Sequence, residues 1–481
     1  MANKEEQFGA GQVIHAETFR DSVATIEQTG SRKWVYPKKP KGKFTNYRDI
    51  VTFILLAIFF ITPFLKINGN AMLKINIIDR EFFIFGQPFY PQDFFILALG
   101  AITSLVFIIL FTVIFGRIFC GWICPQTIFM EGVFRKIEFW IEGDRNKQIR
   151  LASQPWNAEK IWKKGLKWSV YVVISLIITH WMFMYIVGVE DTLKIMKGGP
   201  VEYPTNFIVM VIFTGLFYFV FAWFREQVCI IACPYGRMQG VLLDNKSINV
   251  AYDHVRGEGE NGRKKWRNGE DRTAAGYGDC IDCNQCVVVC PTGIDIRNCT
   301  QLECVNCTAC IDECDTIMEK VGLPKGLIRY ASEDEIVNKD KFRLTTRMKG
   351  YIVVLTILIG VLISMLFLRN DVEATVLRMP GQMFEHKGEN ISNVFTYKVV
   401  NKTVNELKDI HFKLKDTKGT IKVVGKDYVN VKKEGLAQGT LFVEINQALI
   451  EGDKMEIEIE VYSGDKLIET ATTNFMGPRT F

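Results

Sequence analysis

Long apolar runs separate polar connections over residues 50–369, and short alternating segments fill the remainder. Five runs, near residues 50–66, 94–115, 168–188, 207–224 and 350–368, predict transmembrane helices. Each is about long enough to cross ~30 Å of hydrocarbon, the first only just. After residue 370 the hydrophobic period changes to two. Met455, Ile457, Ile459 and Val461 alternate with Glu456, Glu458 and Glu460, as in a half-buried strand. Ser463-Gly464-Asp465 turns the chain into Leu467-Ile468-Glu469-Thr470, which predicts a hairpin. Ile410-Phe412-Leu414 and Leu441-Val443-Ile445 keep the same period. Short strands without cysteine over residues 370–481 predict an immunoglobulin-like β-sandwich. It carries no catalytic constellation, so an interaction or scaffolding role is expected of it.

Composition agrees. Hydrophobic residues make up 48% and aromatic residues 12%, which suits a membrane protein, while 23% charged residues require substantial parts in water. A net charge of +5 over 481 residues argues against a nucleic-acid binder. Residues 1–49 form a polar tail with no apolar core after Met1-Ala2-Asn3-Lys4, so no cleavable signal is expected. Arg32, Lys33, Lys38, Lys39, Lys41, Lys43 and Arg48 precede the first span and predict a cytoplasmic N-terminus. Segments 116–167 and 225–349 are rich in Lys and Arg, whereas 67–93 and 189–206 are balanced. The first pair is therefore expected in the cytoplasm, and an odd number of spans puts 370–481 outside.

Thirteen cysteines change the picture, because their spacing speaks of metal. Cys280, Cys283 and Cys286 recur at steps of three, followed by Cys290-Pro291; Cys304, Cys307 and Cys310 repeat the pattern, followed by Cys314-Asp315. This is the spacing of two-cluster ferredoxins, in which the fourth cysteine reaches the other cluster. One 4Fe–4S cluster is assigned to Cys280, Cys283, Cys286 and Cys314, the second to Cys304, Cys307, Cys310 and Cys290. Zinc sites usually space two cysteine pairs widely, unlike eight thiols in one segment. Asp315 stands where a second proline is expected, which bears on the local turn only. Reduced thiols suit a cytoplasmic segment, in agreement with the charge bias.

A second cysteine pattern closes spans two and four. Arg117-x-x-Cys120-x-x-x-Cys124-Pro125 is matched by Arg225, Cys229, Cys233 and Pro234, with one extra residue after Arg225. This reads as a duplicated hairpin, spans 1–2 against 3–4. Cysteines four apart share a helix face, and the following proline disfavours helix at Cys124 and Cys233. If the halves pack about a pseudo-two-fold axis, four soft ligands converge, suiting Cu(I) or an iron–sulfur cluster. Simple packing of small thiols is the plainer alternative. Arg117 and Arg225 either lower thiol pKa values or anchor at headgroups. Cys299 fits neither pattern and reads as a free thiol. His180, in span three, reads as a hydrogen-bonded imidazole, with a ligand or proton-accepting role as the alternative.

The domains expected are a tail 1–49, a duplicated four-helix segment 50–250, a ferredoxin-like insert 251–349, a fifth span 350–369 and the β-domain 370–481. This order, with Ile61-Thr62-Pro63-Phe64, Tyr90-Pro91-Gln92-Asp93-Phe94, Cys120-Gly121-Trp122-Ile123-Cys124-Pro125-Gln126-Thr127 and Cys233-Pro234-Tyr235-Gly236-Arg237, resembles the cytochrome c oxidase accessory protein family (CcoG, FixG or RdxA) from about residue 32 onward. The resemblance implies a bacterial inner-membrane protein that assembles cbb-type haem–copper oxidase. It further implies reduction of Cu(II) to Cu(I) at Cys120, Cys124, Cys229 and Cys233, with oxidase subunits or copper chaperones as partners and an unidentified electron donor. A quinol-oxidising polyferredoxin and a non-catalytic assembly scaffold are the competing readings.

Overall fold

The computed structural model describes residues 25–26, 31–67, 69–76, 81–89, 93–272, 274–298, 301–369, 372–379, 381, 384–402, 406–425, 428–432, 435–450 and 452–478. Five helices are long and apolar enough to cross a membrane: α1 (Lys43–Phe64), α2 (Phe94–Phe115), α3 (Ala158–Ile186), α4 (Pro204–Phe224) and α5 (Thr346–Phe367). Apolar side chains such as Phe53 and Phe95 point outward at 74% and 76% exposure, as surfaces facing lipid do.

Among the described residues two compact units form, one within residues 1–65, 74–76 and 97–360, the other within 66–73, 77–96 and 361–481. In the first, the helices meet in an aromatic core where Phe134 stacks on Phe221 at 5.0 Å and Phe217 lies 4.5 Å from Phe221. Phe129 and Phe134 belong to a helical stretch that starts at Pro125 and runs through a π-helical turn, Met130–Phe134, into Arg135–Ile141. Part of the expected cytoplasmic connection 116–167 is therefore packed into the bundle. The ferredoxin-type segment folds around Val250, Ile296, Ile311, Met318 and Leu327, closed by the antiparallel strands Asn249–Tyr252 and Ile328–Ala331.

The second unit is built on a sandwich of nine strands among the described residues. They are β1 (Val372–Arg378), β2 (Glu385–Lys387), β3 (Asn390–Asn401), β4 (Leu407–Lys415), β5 (Gly419–Val423), β6 (Val429–Val431), β7 (Leu436–Asn446), β8 (Lys454–Ser463) and β9 (Lys466–Met476). One sheet runs β5-β7-β3-β1 with β2 on β3; the other runs β6-β4-β8-β9. The predicted hairpin is β8–β9, with Ser463 opposite Lys466. Inward residues at period two, among them Phe395, Leu441, Val443, Ile457 and Ile459, form its core. Sequence periodicity assigned 67–93 to a connection within the membrane segment. The structure instead gathers the described residues of 66–73 and 77–96 with the sandwich. The reason is ionic: buried Asp93 pairs with Arg369 at 2.8 Å and Lys402 at 2.7 Å.

Candidate functional site

Each ferredoxin-type run curls about its middle cysteine in the same way. Asp282 (φ +51°) and Asn284 (φ +56°) flank Cys283, and Asn306 (φ +52°) and Thr308 (φ +64°) flank Cys307. Left-handed backbone is tolerated by Asn and Asp and disfavoured for β-branched Thr. The turns bring the Gln285 N–H to the Cys283 thiol and the Ala309 N–H to the Cys307 thiol, which favours the charged form of each. Cys286, Cys290, Cys304, Cys307 and Cys310 surround an empty space of about 340 Å³, open solvent at its mouth included. Among the described residues no three His, Cys, Asp or Glu side chains gather closely enough to hold one metal ion. The cavity and the five thiols around it fit an iron–sulfur cluster.

The fourth cysteines cross between the runs. Cys314 is held above the ordinary thiol range by burial and then by its neighbours Cys286, Cys280 and Cys283. Cys304 is pushed up to about 12 by burial, with Cys307 and Cys290 adding to it. The missing proline has a structural counterpart. The first run ends in a short helix, Gln285–Val288, before Cys290-Pro291, whereas Cys314 and Asp315 lie inside the longer helix Ala309–Lys320. Proline at 315 would remove a helix donor, and Asp315 also accepts from the Gly326 N–H at 2.9 Å.

The two membrane motifs superimpose differently from their arginines. Gly116 (φ +54°) and Arg225 (φ +53°) each precede the first cysteine by four residues, and each turns the chain out of its span. Cys124 N–H bonds Phe119 O at 2.9 Å and Cys233 N–H bonds Val228 O at 2.8 Å, the same five-residue closure. Both prolines then open helices, with Cys124 and Cys233 in extended conformation at the N-caps. The duplication is thus gapless, Arg225 corresponds to Gly116, and the expected extra residue disappears.

Neither arginine reaches toward headgroups; each is 4% exposed. Arg117 donates to Gln239 Oε1, to Gly236 O at 2.7 Å and to the carbonyls of Leu302 and Cys304, the last at 3.2 Å. It joins the two thiol pairs to the second cysteine run. Arg225 instead forms a bidentate pair with Glu138 at 3.1 and 2.8 Å. Burial alone raises the Glu138 carboxyl, but Arg225 and Lys167 outweigh it and hold it well below the ordinary carboxylate range. Glu226 extends the network, pairing with Arg32 at 3.0 Å and lying 3.8 Å from Arg135. Several basic residues counted as orienting charges are thus committed to buried ion pairs, a fact composition hides.

The four membrane thiols form one group. Burial raises Cys229 to about 12, with Cys124, Cys120 and Cys233 adding to it and Arg117 opposing. Cys120 is raised by burial, against which Arg117 and Gln239 act. Cys120 and Cys229 pack on the cluster formed by Val289, Val305, Cys307 and Ala309, so the thiols lie directly beneath the second cysteine run. Gly121 permits this approach, since a Cβ there would sit 2.5 Å from Val305 O. Trp122 Nε1 donates to Tyr330 OH at 3.1 Å beside it.

A further set of functional residues was missed at the sequence level. The basic segment before α1 and the first turns of α1 strap the ferredoxin-type segment: Lys38 Nζ pairs with Glu313 at 2.5 Å, the Phe44 and Thr45 N–H groups donate to Asp312, and Arg48 Nη1 donates to Cys307 O at 2.8 Å. Its charge density was read as orientation only; no local signal names a carbonyl as partner. His180 Nδ1 lies 2.6 Å from Leu176 O within its own helix, the plainer of its two expected roles. Cys299 lies outside the described residues.

Comparison with known proteins places these features together. A family model described as a 4Fe-4S dicluster domain matches residues 224–333, and one described as a 4Fe-4S binding domain matches 97–148. The IG-like fold at the C-terminus of FixG matches 362–478. Protein RdxA of Cereibacter sphaeroides is 37% identical over 371 residues, 73% of this chain and 75% of RdxA. Protein RdxB of the same organism is 36% identical over 77% of this chain and 80% of RdxB. Nitrogen fixation protein FixG of Rhizobium meliloti is 36% identical over 66% of this chain and 61% of FixG. Thiol spacing, five spans, terminal sandwich and this extent of identity agree, and the chain belongs to the RdxA/FixG family of membrane iron–sulfur electron-transfer proteins.

Proposed function

We propose that this protein carries electrons from the ferredoxin-type segment to Cys120, Cys124, Cys229 and Cys233, where Cu(II) is reduced to Cu(I) for a cbb-type haem–copper oxidase. The observation that carries this reading is the packing of Cys120 and Cys229 against the cluster containing Cys307. Iron–sulfur clusters bound by the eight cysteines supply electrons singly, matching a one-electron copper couple. Soft thiolates favour Cu(I) over Cu(II) and so favour the reduced product. Arg117 draws the two thiol pairs and the Cys304 carbonyl together. The reading places the protein in a bacterial inner membrane, with the cysteine runs in the cytoplasm and the sandwich outside.

The test is the double variant Cys120→Ala/Cys124→Ala in full-length protein. Iron and labile sulfide should stay near those of the parent, while Cu(I) affinity and cupric reduction fall by at least tenfold. Unchanged copper binding and reduction would remove the copper reading. One observation favours a second occupant of the thiols. The 4Fe-4S binding model over 97–148 contains only Cys120 and Cys124 as cysteines. A third cluster shared with Cys229 and Cys233 meets this point. It predicts about twelve rather than about eight iron atoms per chain, falling by about four in the double variant.

A further inference from the structure

The two cysteine sets sit in different charge environments. At Cys290, Cys304, Cys307 and Cys310, two buried guanidiniums reach ligand-loop carbonyls: Arg48 on Cys307 O at 2.8 Å, and Arg117 on Leu302 O and on Cys304 O at 3.2 Å. No carboxylate lies within ion-pair distance of either among the described residues. Glu131, which lines a cavity with Arg48, is committed to Arg135 at 2.8 Å. Glu313 pairs with Lys38, while Asp312, held by the Phe44 and Thr45 N–H groups, keeps its charge; Arg48, Arg117, Arg135 and Lys38 thus stand against Glu131, Asp312 and Glu313. At Cys280, Cys283, Cys286 and Cys314 the balance reverses. Arg272 donates to Cys280 O at 3.1 Å, and Arg297 is saturated by Asp282 and Asp295 at 2.6 Å each. Asp315 adjoins Cys314. Three carboxylates thus face two guanidiniums. Cys283 is also exposed, whereas Cys307 is buried against the thiol site.

We infer that Arg48 and Arg117 hold the redox couple at the membrane-proximal cysteine set above the couple at the Cys283 set, so that electrons entering at Cys283 collect above Cys120 and Cys229. The inference rests on the proposed electron path and adds its direction. Reduction adds one negative charge to a cluster, and buried positive charge stabilises the more negative state. Burial of the inner set works in the opposite direction, since it penalises added charge. The inference is that fixed guanidiniums at the ligand carbonyls, little screened there, outweigh it. Each step moves one electron and no atoms. A soluble one-electron donor, a reduced flavin or iron–sulfur protein, is oxidised by one equivalent at the Cys283 side, and the inner set is reduced by one.

The test is a redox titration of the purified full-length protein, followed by electron paramagnetic resonance. One equivalent of dithionite-derived electrons per chain should populate mainly the signal that Cys307→Ser removes. Arg48→Gln keeps a donor for Cys307 O but loses the charge; it should move the upper couple down and leave the lower one in place, at unchanged iron content. Arg48→Lys should keep the parental order. Equal couples in the parent, a first electron on the Cys283 set, or no shift in Arg48→Gln would overturn the inference. Copper reduction is a separate readout. If the Arg48→Gln shift appears while Cys120→Ala/Cys124→Ala still reduces copper, the electron order stands and the copper reading fails.

Discussion

At the residue scale, one guanidinium can be read from sequence only as a charge, and its neighbours decide what it does. Arg117 and Arg225 look alike beside their cysteines, yet one holds carbonyls and amides and the other a carboxylate. The Arg225–Glu138 pair is fully buried, so its energetics are asymmetric: the intact pair contributes modestly, but a lone survivor is costly. Glu138→Gln should destabilise the detergent-solubilised protein by about 3–5 kcal/mol, read as a lower thermal midpoint at pH 7. The pH dependence has a definite sign. The folded Glu138 pKa lies below its ordinary value, so its stabilisation is complete above about pH 4–5. It is lost as pH falls toward the folded pKa, and that acid-side slope should flatten in Glu138→Gln. An unshifted midpoint would show that the pair carries no stability.

At the element scale, the two cysteine runs share a loop and differ in the helix that each loop enters. Both loops use left-handed residues on either side of the middle cysteine. The second continues into the helix Ala309–Lys320 because Asp315 can donate where proline cannot. That helix carries Asp312 and Glu313, the residues gripped by the N-terminal strap. Asp315→Pro, which would make the two runs alike in sequence, should therefore destabilise this segment by about 3 kcal/mol or more. Iron and labile sulfide retained on purification should fall with it, while Asp315→Ala should keep both near parental levels. A fully loaded Asp315→Pro protein would mean that the helix is not needed to seat Cys314.

At the scale of the whole molecule, the prediction concerns sidedness. Lys and Arg excess in 116–167 and 225–349 predicts that the cysteine runs lie inside and residues 370–481 outside. Burial of Arg135, Lys160 and Lys167 removes some of those charges from water, but the basic strap before α1 remains on the same side of the count. An alkaline phosphatase fusion after Glu389 should be active in cells, and one after Arg272 inactive. The reverse pattern would put the cysteine runs in the wrong compartment for reduced thiols and would reverse the electron entry side as well.

Patterns that repeat within a few residues were legible in the sequence. Span length and the period-two alternation of β8 are properties of a local window, and both appear in the structure, with the first and third helices starting at Lys43 and Ala158, ahead of their apolar runs. Cys314 lies near Cys280, Cys283 and Cys286, and Cys290 near Cys304. Folding alone settled the partners of charges and the register of the duplication. The Arg225–Glu138 pair, the Arg48 bond to Cys307 O and the Asp93–Arg369 pair join residues separated by 87, 259 and 276 positions. The gapless match of Gly116 to Arg225 rests on a shared backbone turn, not on shared residue type. A side-chain charge acts over the few ångströms set by folding, whereas a hydrophobic period or a ligand spacing is written along the covalent chain.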